Sequence, residues 1–336
     1  MSPIRVLVVD DSPLVRSWLT DAIAAQPGFA VVGTAANGVE AAHRTAELAP
    51  DVVTMDLRMP ESDGFAGIAH IMATRPTPIL VLTVEPGEPN TFRALSLGAL
   101  DLMEKPAVLH EPRQFGALLA ARLRLLAGTP VIRHVRGHRE RLAVPPREAR
   151  RVSLLAIAAS LGGPRALGQL LKSLPSPFPV PIVVVQHMAD GFTTGLTRWL
   201  AQDTGREVRE ARDGEKLAPG PVLFAPAGKH LRVSRDAVHL DEGPPERGFR
   251  PSANPFFRSV AATFGGSACG VILTGMGDDG AEGLRALREA GGFTVAQDEA
   301  TCAVFGMPRA AIEAGAVDLV LPLDRIGAAL AEVAAC

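Results

Sequence analysis

The sequence predicts two doubly wound α/β domains, each built on a parallel sheet. Three observations lead there. Short β-branched runs alternate with helical patterns along most of the 336 residues. Those runs are apolar and bounded by turn residues, as strands covered on both faces are. The rhythm breaks once, between Gly128 and Arg151, in a stretch rich in Arg, His and Pro. The length suits two domains at roughly 100–200 residues each. The expected division is a first domain at 1–125, a linker at 126–150 and a larger second domain at 151–336.

In the first half, strands are expected at 4–9, 30–33, 52–55, 79–83 and 99–103. Helices are expected between and after them at 13–25, 38–48, 64–73, 90–97 and 115–126. Five βα units of this kind imply a parallel sheet with helices on both faces. The linker carries Arg133, Arg136, Arg139, Arg141, Arg147, Arg150 and Arg151. It reads as a solvated connector, or as a contact surface between the domains. From Val152 the βα rhythm resumes, with buried-strand runs at 153–159, 180–185 and 270–274. The runs 222–225 and 237–240 flank turn-rich sequence and are expected to form a hairpin insert.

Composition narrows the function. The formal net charge of −2 gives no global pull toward nucleic acid or anionic membrane. Three scattered cysteines, Cys269, Cys302 and Cys336, argue against a disulfide framework and lack metal-ligand spacing. The first strand starts at Ile4 without an apolar leader, and no apolar run nears the ~20 residues of a membrane span. The expectation is a cytoplasmic protein with no membrane insertion.

Two constellations carry chemistry. The first is acidic. Asp10 and Asp11 follow the first strand, Asp56 ends the third, Thr83 the fourth, and Lys105 follows the fifth. Carboxyl ends of parallel strands meet in one crevice. Three carboxylates there repel and suit a hard cation such as Mg²⁺. A carboxylate beside Mg²⁺, a hydroxyl and a lysine can attack a phosphoryl donor, with the cations offsetting the charge that develops. Each aspartate taken alone also reads as a turn former or helix cap.

This half resembles the receiver domains of two-component response regulators. The matching pieces are Val8-Val9-Asp10-Asp11-Ser12, Met55-Asp56-Leu57-Arg58-Met59-Pro60, Asp63-Gly64, Thr83 and Lys105-Pro106. The resemblance implies phosphorylation of Asp56 by a histidine kinase. It implies Mg²⁺ held by Asp10, Asp11 and Asp56, and a phosphoryl group bound by Thr83 and Lys105. Leu102 stands where such domains often place an aromatic residue.

The second constellation is a serine, a histidine and an aspartate at strand ends. One apolar run ends at Ser160, a second at Gln186-His187, a third in Gly275-Met276-Gly277-Asp278-Asp279-Gly280. Nucleophilic acyl transfer needs a hydroxyl, a base and a carboxylate that orients the base. Gly162 and its neighbours permit tight turns, and amides exposed there can stabilise an oxyanion. Taken singly, Ser160 reads as a helix cap, His187 as a structural histidine, and the aspartates as turn residues. The third loop also fits a dinucleotide-binding G-x-G-x-x-G, with Asp298 near the ribose-acid position. Against that, its two aspartates would repel a pyrophosphate.

The second half is similar to the catalytic domain of the chemotaxis protein-glutamate methylesterases, the CheB family. The resemblance rests on Ile157-Ala158-Ala159-Ser160-Leu161-Gly162-Gly163-Pro164, Val185-Gln186-His187-Met188, residues 224–230, Arg250-Pro251-Ser252, residues 273–280 and residues 304–308. It implies Ser160 as nucleophile, His187 as base, Asp279 as orienter, and backbone near Met276 in the oxyanion hole. It implies methyl-accepting chemoreceptors as substrate, deamidation of their glutamines as a second reaction, no cofactor in this domain, and an unphosphorylated receiver that covers the site. The expected function is a phosphorylation-activated serine hydrolase. The alternative is a response regulator whose second domain only binds a partner. A nucleic-acid-binding output is not expected, because the arginines do not gather on one helix.

Overall fold

The structure is a computed structural model, and it describes residues 2–59, 63–106, 112–129 and 152–334. The chain forms two compact units, residues 1–137 and 138–336. Both are built on all-parallel sheets, as expected.

The first unit runs β1 (Ile4–Val9), α1 (Pro13–Ala24), β2 (Phe29–Ala35), α2 (Gly38–Leu48), β3 (Val52–Asp56), α3 (Gly64–Thr74), β4 (Ile79–Thr83), α4 (Arg93–Ser96), β5 (Asp101–Glu104) and α5 (Pro112–Ala127). Strand order is β2-β1-β3-β4-β5, all parallel. The chain reverses its winding at β1 and β3, so a crevice opens where those strands end. β3 and β4 are buried along their whole lengths, which is why they read as unbroken apolar runs. Ser12, Asn37 and Asp63 cap α1, α2 and α3 through their side-chain oxygens. The helix expected at 90–97 is instead a 3₁₀ turn, Pro89–Phe92, that continues into the single turn of α4. α5 extends to Ala127, two residues into the predicted linker. The arginine run from 133 to 151 lies outside the described residues.

The second unit runs β6 (Leu154–Ala159), α6 (Gly163–Ser173), β7 (Ile182–Gln186), α7 (Phe192–Thr204), β8 (Val208–Glu210), β9 (Val222–Phe224), β10 (His230–Val233), β11 (Val238–Asp241), α8 (Ala253–Phe264), β12 (Ala268–Ile272), α9 (Ala281–Glu289), β13 (Phe293–Gln297), α10 (Met307–Glu313), β14 (Leu319–Leu321) and α11 (Leu323–Ala334). Seven strands form one parallel sheet in the order β14-β13-β12-β6-β7-β9-β8. The winding reverses between β6 and β12, which are paired at the centre of the sheet. The core packs Phe256, Phe257 and Val260 of α8 and Leu284 and Leu287 of α9 with buried β6, β7 and β12 residues.

The hairpin expectation needs correction. A hairpin exists, but its strands are β10 and β11, paired antiparallel from His230–Asp241 to Val233–Val238. The run at 222–225 is β9, which pairs parallel with both β7 and β8 inside the main sheet. Three residues are too few for a local pattern to distinguish a hairpin partner from a distant parallel one.

No helix among the described residues is long and apolar enough to cross a membrane.

Candidate active site

In the first unit, the strand ends bring the predicted acidic residues together. Ligand oxygens of Asp10, Asp11 and Asp56 lie within 4.8 Å of one another. Lys105 Nζ donates to Asp10 Oδ2 at 2.7 Å and stands 3.0 Å from Asp56 Oδ2. Asp10, Asp56, Thr83 and Lys105 are buried, and Asp11 is exposed. The turn-former reading holds in part, because Asp10 Oδ1 accepts Ser12 N–H at 3.0 Å. None of the three caps α1 or α3, which use Ser12 and Asp63. Burial pushes the Asp56 carboxyl up; Lys105 pulls it down, Asp10 pushes it up again, and it ends above the ordinary aspartate value. A divalent cation suits this set: three carboxylates face one point, and a single ammonium does not balance them.

In the second unit, Ser160 and His187 stand side by side. Ala159 of β6 and Gln186 of β7 are register partners, and each site residue is the next along its strand. His187 N–H donates to Ala159 O at 2.9 Å, and Ser160 N–H to Thr274 O at 3.0 Å. Gln186 Nε2 donates to both Ser160 O and His187 O at 2.8 Å, which ties the two strand ends together. Ser160 does not cap the next helix. Gly162 does, with φ +76°, a left-handed conformation suited to glycine. Gly275 is a second necessary glycine. A Cβ there would fall 2.8 Å from Ser160 Cβ and 2.4 Å from Met307 Sδ. The Met276 side chain beside it is half-exposed.

Asp279 is wholly buried and fully engaged. Its Oδ2 lies 2.8 Å from His187 Nε2 and accepts Ala253 N–H at 2.7 Å. Its Oδ1 accepts the Ser252 hydroxyl at 2.8 Å and Asn254 N–H at 3.1 Å. The carboxylate therefore caps α8 from another part of the chain, where the helix dipole favours negative charge. Asn254 returns the favour: its Oδ1 accepts Gly280 N–H at 3.1 Å and Gly283 N–H at 2.9 Å, at the start of α9. Burial pushes the Asp279 carboxyl up, but the His187 contact, Ala253 N–H and the Ser252 hydroxyl together hold it below the ordinary value. His187 Nδ1 is buried and has no hydrogen-bond partner among the described residues. The dinucleotide reading falls here. The loop is filled by a buried carboxylate bound to protein donors, and Asp298 accepts both N–H and hydroxyl of Thr301.

Sequence reasoning placed Ser160, His187 and Asp279 but missed what holds them. Ser252 and Asn254 look like cap residues of their own helix, yet both side chains serve the Asp279 loop. Phe249 stacks flat on His187, with ring centroids 4.1 Å apart and planes 8° apart. Its aromatic character in a polar turn was the only available signal.

Comparison with known proteins settles the family. A family model described as CheB methylesterase matches residues 155–330, and one described as response regulator receiver domain matches residues 6–114. The chain belongs to the CheB methylesterase family. It is 58% identical over 331 residues to protein-glutamate methylesterase/protein-glutamine glutaminase 2 of Anaeromyxobacter dehalogenans, covering 98% of this chain and 97% of that one. It is 46% identical to the corresponding protein 3 of Myxococcus xanthus, covering 96% and 91%. The crystal structure of the CheB methylesterase catalytic domain of Thermotoga maritima matches with 39% identity and TM-score 0.53, covering 54% of this chain and 98% of that chain.

The raised Asp56 carboxyl has a consequence for stability. A group raised on folding adds stability at low pH that is lost as pH climbs through its folded value. Asp56→Asn removes that loss. By calorimetry in EDTA, the variant is expected to melt above the parent at pH 7, with the gap closing below about pH 4. A gap that ignores pH, or has the opposite sign, contradicts the assignment.

Proposed function

We infer that this CheB-family protein is a phosphorylation-controlled protein-glutamate methylesterase of the cytoplasm. Its substrates are methylated glutamate side chains on chemoreceptor cytoplasmic helices, and its products are glutamate and methanol. Deamidation of glutamine side chains is the same acyl transfer with ammonia leaving. The observation that carries the reading is the pairing of His187 with a buried Asp279, one strand from Ser160. A domain that only binds a partner has no use for a buried carboxylate oriented on a histidine beside a serine.

The geometry suggests how the steps run. The Ser160 hydroxyl attacks the ester carbonyl while His187 takes its proton. Nε2 is occupied by Asp279, so Nδ1 is the nitrogen that receives it. Asp279 holds the ring and offsets the positive charge that forms on it. Amides of Gly162 and Met276 are the proposed donors to the oxyanion. His187 then returns the proton to the departing methoxide, methanol leaves, and an acyl-enzyme remains on Ser160. Water activated by the same histidine releases glutamate.

Control resides in the receiver, residues 1–125, joined through 126–150 to the esterase at 151–336. Asp56 accepts a phosphoryl group from a histidine kinase, with Thr83 and Lys105 binding its oxygens. Asp10, Asp11 and Asp56 would hold Mg²⁺. When bound, the cation offsets the negative charge of the phosphoryl oxygens.

Two outcomes are expected. Asp279→Asn lowers methanol release from methylated receptor membranes by about 10⁴, the cost of the equivalent change in a serine protease. Asp278→Asn costs a few-fold at most, because Asp278 is exposed and pairs with Arg247 rather than with the histidine. Reversed severities would mean the other aspartate serves the site. For the receiver, acetyl phosphate is expected to label the parent chain, but neither Asp56→Asn nor the parent in excess EDTA. Label surviving in either contradicts the site.

A further inference from the structure

One hydrogen bond fixes a point of the His187 ring, not its plane. The torsion between Cβ and an imidazole is broad, so the Asp279 contact alone lets the ring rock. The second constraint is Phe249, parallel to the ring at 4.1 Å. Phe249 sits at the end of a tight turn, in which Glu246 and Phe249 exchange backbone hydrogen bonds of 3.1 and 3.0 Å. Both central residues have positive φ, Arg247 at 52° and Gly248 at 84°. That turn type favours Asn-Gly, and an arginine in the left-handed position is strained. Its placement is explained by what its guanidinium reaches. Arg247 Nη1 pairs with Asp278, and Nη2 donates to Glu282 of α9 at 2.6 Å. Glu246 is anchored in turn by Arg258 of α8. The turn is thus fastened to the same loop that carries Asp279.

We propose that Phe249 is a positioning residue for His187, and that Arg247 is the clasp that keeps Phe249 on the ring. This rests on His187 being the base. With Nε2 held on Asp279, the stack fixes the plane of the ring and therefore the direction of the buried, unpartnered Nδ1. It also covers one ring face with a π-system. When His187 takes the serine proton, the imidazolium meets the negative face of Phe249, an attraction strengthened by exclusion of water. That attraction is absent while the ring is neutral, so it acts on kcat and leaves KM alone.

The test uses the full-length chain, phosphorylated with acetyl phosphate, over a range of methylated receptor concentrations. Phe249→Leu keeps an apolar cover but removes the flat face. It is expected to lower kcat about tenfold with KM unchanged. Phe249→Tyr restores the face and is expected to stay within about twofold of the parent. Arg247→Met is expected to lower kcat several-fold in the parent and to add little in the Phe249→Leu background, because both act through one contact. Melting temperatures of all variants are measured alongside, and Phe249→Leu should lose kcat without a matching loss of stability. Parent-like kcat in Phe249→Leu, or a loss that Tyr does not rescue, overturns the role of Phe249. Full additivity with Arg247→Met overturns the clasp. His187→Gln is the control: if it retains parent-like kcat, the assignment of the base has failed, and not the stacking inference.

Discussion

The esterase unit depends on one buried carboxylate. Burying an unpaired carboxylate costs several kcal/mol, so Asp279 is tolerable only with its donors in place. It has four: the Ser252 hydroxyl, the amides of Ala253 and Asn254, and the His187 ring. Three of these lie at the start of α8, one at the end of β7. Asp279 itself follows β12. A single charge therefore fixes three pieces of chain that meet from distant points in the sequence. Asn254 repeats the tie in the other direction by capping α9. Loss of any one donor weakens the others, because each depends on the carboxylate staying put.

The receiver solves a similar problem with opposite balance. There three carboxylates lie close together, and among the described side chains one ammonium, Lys105, pairs with two of them. Asp279 is saturated by fixed protein donors and is held below its ordinary value. Asp56 is held above it, by burial against too little positive charge. The first arrangement orients a neighbour. The second leaves clustered negative charge of the kind a divalent cation offsets. Burial alone does not say which role an aspartate plays; the donors around it do.

The fold and the central residues were legible because parallel strands impose a simple rule. Their carboxyl ends converge, so residues after separate apolar runs meet without any knowledge of the loops. Ser160, His187 and Asp279 follow three such runs, as do Asp10, Asp56 and Lys105. What was illegible lies off the strands. Ser252 and Asn254 read as caps of α8, and nothing local reveals that their side chains turn to another loop. Phe249 sits in a polar, turn-rich stretch with no period to place it. β9 was read as half of a hairpin, because a three-residue strand carries too little pattern to name its partner. The nitrogen of His187 that faces Asp279 is set by three-dimensional placement alone. Each of these is a contact between segments far apart in sequence, where local propensity is silent.

The central claim is that Ser160, His187 and Asp279 act as one hydrolytic unit with Ser160 as the covalent centre. It is tested most directly by methanol release from methylated receptor membranes, comparing the parent with Ser160→Ala at equal concentration. The substitution removes one oxygen from a half-buried residue just past the end of β6 and changes none of the hydrogen-bond donors to Asp279. The account predicts unchanged melting and loss of catalysed release. Parent-like release from a folded Ser160→Ala protein would contradict it.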